Sequence, residues 1–248
     1  MSRSAHYRQV LRSLVDWEPY LLAESGLPGP RGNIELAQAV ADEGDEARFL
    51  RLLAFDAERA PVNTPQEFLA FCGAVGLGRL IAEGRRDLLP LLRRHANDPR
   101  WRMREAVAMA LQRWGAIDMS GLLAEMAAWS CGSYLEQRAA AAALCEPALL
   151  RQPTIVARVL ALLDAITAGV ERAPERRGED FRALRKGLAY CWSVAVAAQP
   201  EVGMPLMERW CASPDHDVRW IMRHNLGKQR LIRAAPDWAA AWQATLSK

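Results

Sequence analysis

The sequence has 248 residues, of which 51% are hydrophobic and 25% are charged, and its formal net charge is +3. These values are typical of a globular protein and exclude an intrinsically disordered chain. A net charge of +3 is too small by itself to indicate a nucleic-acid-binding protein. The five cysteines are odd in number and lack metal-ligand spacing, so we expect reduced thiols, a cytoplasmic location, no metal and no other cofactor.

The first eight residues contain no apolar segment, so we expect no signal peptide. The longest nearly apolar run covers residues 188–198 and is too short to span a bilayer. The sequence therefore predicts no membrane partner.

Positive charge is concentrated in the later part of the chain. Residues 1–84 contain 8 basic and 12 acidic side chains, whereas residues 85–248 contain 24 and 17. Such an asymmetry either marks an anionic partner or belongs to a solvated surface. Arginine outnumbers lysine throughout, since the only lysines are Lys186, Lys228 and Lys248, and arginine suits bidentate contacts with phosphate.

The first third of the chain shows the apolar spacing of amphipathic helices. We expect Pro19 to divide residues 5–25 into two short helices and Asn33 to cap a helix that ends near residue 41. Residues 45–55 form the next predicted helix, with Phe49 and two leucines facing inward.

Thr64 and Glu67 have the spacing of a capping box at the start of the following helix. Three glycines are expected to interrupt that helix and to allow neighbouring helices to approach closely. They are Gly73, Gly76 and Gly78.

The middle of the chain predicts a helix over residues 87–95, a turn at residues 97–99 and a longer helix that ends near Gly115. A helix over residues 118–130 follows. Ser133 and Glu136 then form a second predicted capping box, which opens a helix containing five consecutive alanines, Ala139 to Ala143. Consecutive alanines favour tight packing between helices.

The last hundred residues continue the helical pattern. We expect a helix over residues 154–169, a flexible charged loop over residues 171–180 and a central apolar helix over residues 181–198. A helix pair over residues 204–227 and a final helix beginning at Pro236 complete the chain. Because no segment alternates with period two, about a dozen helices and an all-α fold are predicted.

Residues 89–102 and 204–219, with a weaker copy at residues 127–144, share a pattern of an apolar helix, a polar turn and an arginine. The arginines Arg102, Arg138 and Arg219 are separated by 36 and 81 residues, compatible with one and two repeat units. The pattern resembles HEAT repeats. This resemblance implies an α-solenoid forming a single domain over residues 1–248, a scaffold with a concave face that binds a protein or peptide. Four repeated residues are either structural ion pairs and caps or part of such a face, namely Asp98, Arg102, Asp215 and Arg219.

Residues 96–109 also resemble a signature repeat of the HEAT-like DNA-alkylation-repair glycosylases. On that motif Trp101 and Arg104 match, and the resemblance implies that Arg104 contacts the phosphate backbone of duplex DNA. The upstream helix at residues 68–75 has no acid at the place of the family's aspartate. The implied function is therefore DNA binding without the full glycosylase site.

The sequence contains two clusters of basic residues. Because equivalent positions of successive repeats line one surface of a solenoid, these residues could form a stripe that contacts phosphates. The first cluster is Arg85, Arg86, Arg93, Arg94, Arg100, Arg102 and Arg104. The second cluster is Arg209, Arg219, Arg223, Lys228, Arg230 and Arg233. The candidate nucleic-acid-binding residues are Arg104, Trp101, Arg100, Arg223 and Arg94.

No catalytic motif is recognisable, and His216 and His224 are eight residues apart, too distant on a helix to share one metal. The sequence therefore leaves three hypotheses open. The first is a non-enzymatic scaffold for a protein partner, and the second is a protein that binds duplex DNA. The third is an enzyme without a recognisable motif, and any such activity would be of the DNA-glycosylase type that the resemblance implies.

Overall fold

The computed structural model describes residues 2–246, and within that range the protein is all-α, with no β-strand. The chain divides into two compact units, Met1–Asp118 and Met119–Lys248. The α-helices of the first unit are α1 (Arg3–Ser13), α2 (Glu18–Ala23), α3 (Ile34–Glu43), α4 (Glu46–Leu53), α5 (Pro65–Ala82), α6 (Leu89–Ala96) and α7 (Trp101–Gly115). The α-helices of the second unit are α8 (Met119–Trp129), α9 (Tyr134–Leu144), α10 (Pro153–Glu171), α11 (Glu179–Ala198), α12 (Pro200–Cys211), α13 (His216–Leu226), α14 (Gln229–Ala234) and α15 (Pro236–Leu246).

Most of the predicted helix starts are confirmed. Asn33 accepts a hydrogen bond from the backbone N–H of Leu36 at 3.1 Å. Ser133 and Glu136 form both hydrogen bonds of a capping box at the start of α9. These side chains satisfy backbone donors that the first turn of a helix leaves without partners.

The capping box predicted at Thr64 is wrong. The Thr64 side chain makes no cap hydrogen bond and donates instead to the carbonyl of Pro61 at 2.7 Å. Glu67 accepts from the backbone N–H of Asn63 at 2.8 Å and forms an ion pair with Arg102. The carboxylate of Glu67 is therefore a buried acceptor that joins α5 to its neighbours.

In the first unit, α5 packs against α3, α4 and α7. Its glycines do not interrupt it, because the helix is continuous from Pro65 to Ala82. They do permit close approach, as expected. A Cβ atom on Gly76 would lie 2.3 Å from the ring of Phe49, and one on Gly78 would lie 2.4 Å from the Cα of Ala110.

In the second unit, α11 lies between α9 and α13, and α10 packs against all three of these helices. Four of the five consecutive alanines of α9 are buried, consistent with tight packing. Asn225 of α13 accepts from the backbone N–H of Ser193 at 2.8 Å and donates to the carbonyl of Leu188 at 2.9 Å. This buried amide holds α13 in a defined position against α11.

Helix α10 is long and apolar enough, by length and composition alone, to cross a bilayer. It also packs Val159, Leu163 and Ile166 into the core of the second unit, as the core helix of a globular protein does. The absence of a membrane partner stays a prediction.

The predicted flexible segment 171–180 forms the end of α10, a connection and the start of α11. Within it, Arg176 donates to the carbonyl of Glu171 and to the carboxylates of Asp215 and Asp217. The connection is therefore anchored to the beginning of α13. The α-solenoid and the single domain over residues 1–248 stay predictions, since each unit is defined by its own contacts.

Candidate nucleic-acid interface

The N-terminus of α7 is held by Arg100, whose side chain is buried. Its guanidinium forms a bidentate ion pair with Asp98, at 2.9 and 2.7 Å. It also donates to the carbonyls of Phe55, Asp56 and Ala60 at 2.9–3.2 Å. Arg100 is thus enclosed by acceptors from its own turn and from the loop after α4. Sequence reasoning made it a candidate phosphate contact, but its buried guanidinium is an internal structural group.

Arg102 joins the same helix to two further segments. It pairs with Glu67 at 3.2 Å, and both side chains are buried. It also donates to the carbonyl of Gly29 at 2.6 Å and to the side-chain oxygen of Asn63 at 3.2 Å. A buried ion pair is retained only when such additional hydrogen bonds compensate for its desolvation. The structural interpretation of Arg102 is therefore confirmed.

The other three candidates of the first unit lie close by in sequence but differ in exposure. Arg104 is half-buried, and its guanidinium donates to the carbonyls of Asp98 and Pro99 at 2.8 and 2.9 Å. Arg94 is exposed near the end of α6 and has no ion-pair partner within residues 2–246. Trp101 is 44% exposed, and the guanidinium of Arg102 lies 4.3 Å from its ring centroid.

The first cluster begins with two arginines that are paired with nearby carboxylates. Arg85 hydrogen-bonds to Asp87 and Glu46, and these contacts raise the pKa of its guanidinium. Arg86 pairs with Asp118 at 3.2 Å and lies over the ring of Trp114. Much of the positive charge of the first cluster is therefore neutralised inside the first unit.

His95 lies in the same region, on α6 beside the buried ion pair. Burial lowers the pKa of its imidazole, while Asp98 raises it and Arg100 and Arg94 lower it. The neutral form of His95 is consequently favoured in the folded protein.

A different arrangement occurs on α11 in the second unit. Arg182, Lys186 and Tyr190 are exposed and are spaced four residues apart, so they form one row along the helix. Neither Arg182 nor Lys186 forms an ion pair with any other residue in the range 2–246. The sequence contains no acidic residue from 181 to 200. The acids of α11 are confined to its first turn, where Glu179 and Asp180 form no ion pair with Arg182 or Lys186 among the described residues.

Helix α13 packs against α11 and adds further aromatic and basic side chains. Trp220 contacts His224, with ring centroids 3.8 Å apart, and the guanidinium of Arg185 lies 4.4 Å from the Trp220 ring. Arg223 is exposed and donates to the carbonyl of Leu246 at 2.7 Å. We call Arg182, Lys186 and Tyr190, together with Trp220, Arg223 and His224, the α11–α13 face.

Two further cations lie at one end of the α11–α13 face. Lys228 at the N-cap of α14 and Arg230 in its first turn approach Tyr190, and Arg230 donates a hydrogen bond to the Tyr190 hydroxyl. The sequence has no acidic residue from 218 to 236. Arg219 and Arg233 form no ion pair within the described part of the chain. This region therefore keeps most of its positive charge.

Acidic groups lie at the beginning of α13. Asp215 caps the helix by accepting from the backbone N–H groups of Asp217 and Val218 at 3.0 Å. Burial raises the pKa of Asp215, but hydrogen bonds from Arg176 and from the helix backbone together lower it by more. The net effect is a pKa below the ordinary value. Asp217 is buried and pairs with Arg176 and Arg185.

The side chains of Asp215, His216 and Asp217 offer ligand atoms within 4.8 Å of one another. Their carboxylates already accept hydrogen bonds from arginines and from the start of α13. Two guanidinium groups at this position also oppose the binding of a metal cation. We therefore assign these acids a structural function, as the sequence interpretation of Asp215 proposed.

The candidates from the sequence are distributed over both units. Arg94, Arg100, Trp101 and Arg104 belong to the first unit and Arg223 to the second, so one continuous stripe through Arg104 and Arg223 stays a prediction. Sequence reasoning missed the row of α11. Its signal was available in the four-residue spacing of Arg182, Lys186 and Tyr190 within an acid-free segment.

No protein-family model, curated protein or solved structure matches the chain. Its function is therefore inferred from its own residues.

Proposed function

We propose that this protein is a helical scaffold that binds the phosphate backbone of nucleic acid through the α11–α13 face. The observation that supports this proposal most directly is the exposed pair Arg182 and Lys186, which has no ion-pair partner within residues 2–246. Binding of such cations to phosphates releases condensed counterions, which provides most of the affinity of non-specific nucleic-acid binding.

A nucleic acid fits this face better than a protein partner does. Arginine and aromatic residues also occur in protein–protein interfaces, whereas lysine is depleted there. The feature that favours a polyanion is the single sign of the charge: the exposed row of α11 contains an arginine and a lysine, and further cations surround its tyrosine. The composition of the α11–α13 face is thus typical of a surface for a polyanion.

The HEAT-like interpretation forms part of the same proposal. Packing of α11 between α9 and α13, with α10 behind them, supports a layered array in which alternate helices present one surface. The proposal assigns contact rather than catalysis to Arg182, Lys186 and Arg223. The α6–α7 region, in which Arg100 and Arg102 are buried, is excluded from the proposed interface.

The proposal is tested by measuring the binding of fluorescently labelled DNA duplexes and single strands at about 50 and about 200 mM salt. We expect wild-type protein to bind at the lower salt concentration and to lose affinity steeply at the higher one. The double variant Arg182→Gln/Lys186→Gln is expected to bind at least about tenfold more weakly, since two phosphate contacts are lost.

Poly-glutamate of similar charge serves as the comparison ligand for an acidic protein. Binding of poly-glutamate as tight as that of nucleic acid would support the protein-partner hypothesis and contradict the proposal. Undetectable binding of nucleic acid at low salt would contradict it as well.

A further inference from the structure

Tyr190 is unusual among the aromatic side chains of the second unit because it is exposed on a basic surface. It is 44% exposed and continues the row of Arg182 and Lys186. Trp192, two residues later, is fully buried and donates to Thr167 of α10. Residues two apart lie on nearly opposite sides of a helix, so Tyr190 points away from the core of the unit.

Two cations fix the position of the Tyr190 ring. The guanidinium carbon of Arg230 lies 4.8 Å from the ring centroid, and the ammonium of Lys228 lies 5.7 Å from it. Arg230 also donates to the hydroxyl, so the polar end of the side chain already has a partner. Tyr190 is therefore a positioned aromatic side chain that is partly exposed and has two cations over its ring.

Trp101 of the first unit is equally exposed, at 44%, but its surroundings differ. The arginine over its ring, Arg102, is paired with Glu67 and bonded to Gly29 and Asn63. Trp101 thus has an exposed aromatic ring whose neighbouring cation is already paired inside the protein. A substitution at Trp101 is therefore a control for the loss of an exposed ring outside the proposed interface.

We propose that Tyr190 stacks on an unpaired base, so that the α11–α13 face prefers single-stranded nucleic acid to a duplex. This inference rests on the proposed function above and specifies its substrate. Bases in a duplex are covered by their neighbours, whereas the bases of a single strand can stack on an aromatic side chain while cations contact the backbone. Cations available to the backbone include Arg230, which bonds to the Tyr190 hydroxyl, and the exposed Arg182 and Lys186 earlier in the same row of α11.

The experiment compares the wild-type protein with Tyr190→Leu, Tyr190→Phe and Trp101→Leu. Each protein is titrated with oligo-dT, with oligo-U and with a DNA duplex of equal length. Loss of one stacked base is expected to weaken single-strand binding of Tyr190→Leu between about fivefold and about a hundredfold. Its duplex binding stays within about twofold of wild type. Tyr190→Phe retains the ring and stays close to wild type on every ligand, as does Trp101→Leu.

Oligo-dT and oligo-U distinguish single-stranded DNA from single-stranded RNA as the source of the stacked base. A single strand that lacks bases provides a second test, because Tyr190→Leu and wild type should bind it equally. Equal losses on duplex and single strand, or no loss on either, would overturn the stacking inference while leaving the phosphate-binding function intact. Failure of the wild-type protein to bind any of the ligands at low salt would overturn both.

Discussion

Two basic regions of this protein, the first cluster and the exposed row of α11, have different electrostatic surroundings. In the first cluster, Arg100 and Arg102 are buried and Arg85 is paired with two carboxylates. On α11, Arg182 and Lys186 are exposed and have no ion-pair partner in the described chain. The number of basic residues in a segment therefore does not determine how much positive charge its surface presents.

The difference arises from the acceptors that the fold supplies. The acceptors of the first cluster are the carboxylates of Glu46, Glu67 and Asp98, together with backbone carbonyls from the loop after α4. The segments 181–200 and 218–236 contain no acidic residue at all. Loss of a guanidinium that is enclosed by buried acceptors leaves those acceptors unpaired and destabilises the protein, whereas a guanidinium without them remains available to a ligand.

The largest expected effect on stability comes from Arg102→Met. This substitution keeps most of the packing of the side chain but leaves the carboxylate of Glu67 buried without its ion-pair partner. Removal of one partner of a buried ion pair costs about 3–5 kcal/mol. The free energy of unfolding in urea, followed by circular dichroism, provides the measurement.

Arg94→Met is the matched control, because Arg94 is exposed and lies only eight residues earlier. It should change the free energy of unfolding by no more than about 0.5 kcal/mol. Replacement of both Arg102 and Glu67 by methionine should recover part of the lost stability, since no unpaired charge remains. A stability of Arg102→Met equal to that of Arg94→Met would refute the structural assignment of the first cluster.

A smaller effect on stability is expected from protonation of His95, because burial lowers the pKa of its imidazole in the folded protein. The unfolded chain then binds a proton near the ordinary histidine pKa of about 6.5, while the folded chain remains neutral. Stability should therefore be complete above that pH and decrease as the pH falls through about 6.5 towards the lower folded value.

The measurement is the urea midpoint at several pH values for wild type and His95→Gln. In His95→Gln the urea midpoint should no longer fall as the pH decreases below about 6.5. The fall in wild type should be smaller than the decrease in midpoint caused by Arg102→Met. A pH dependence identical in the two proteins would show that His95 does not contribute to it.

The smallest effect on stability is expected from Arg182→Gln/Lys186→Gln. Both side chains are exposed on α11, so the free energy of unfolding should change by no more than about 0.5 kcal/mol. Thermal unfolding followed by circular dichroism checks this expectation. A clear loss of stability would show that these cations have structural partners.

Much of the fold could be predicted from the sequence. The all-α class, the caps at Asn33 and Ser133 and the close approach at Gly76 and Gly78 depend on local patterns, and the structure confirms them. Thr64 and Glu67 match a capping box equally well in sequence, but Glu67 pairs with an arginine 35 residues later. A contact at that separation has no local signature.

The candidate site was less predictable for the same reason. Arg100 and Arg104 belong to one cluster in the sequence, and only the fold shows that Arg100 is enclosed by carbonyls from residues 55–60. The importance of Tyr190 depends on Lys228 and Arg230, which lie about forty residues away. The sequence could indicate the basic segments but not which of them remain without acceptors.

The most direct test of the central claim is the dependence of single-strand binding on salt concentration. The logarithm of the binding constant is plotted against that of the salt concentration for wild type, Arg182→Gln/Lys186→Gln and Arg94→Gln/Arg104→Gln. Each phosphate contact on a single strand contributes about 0.7 to the slope, so the α11 variant should lose about 1.4. The α6–α7 variant should retain the wild-type slope. An unchanged slope for the α11 variant and a reduced slope for the α6–α7 variant would contradict the account.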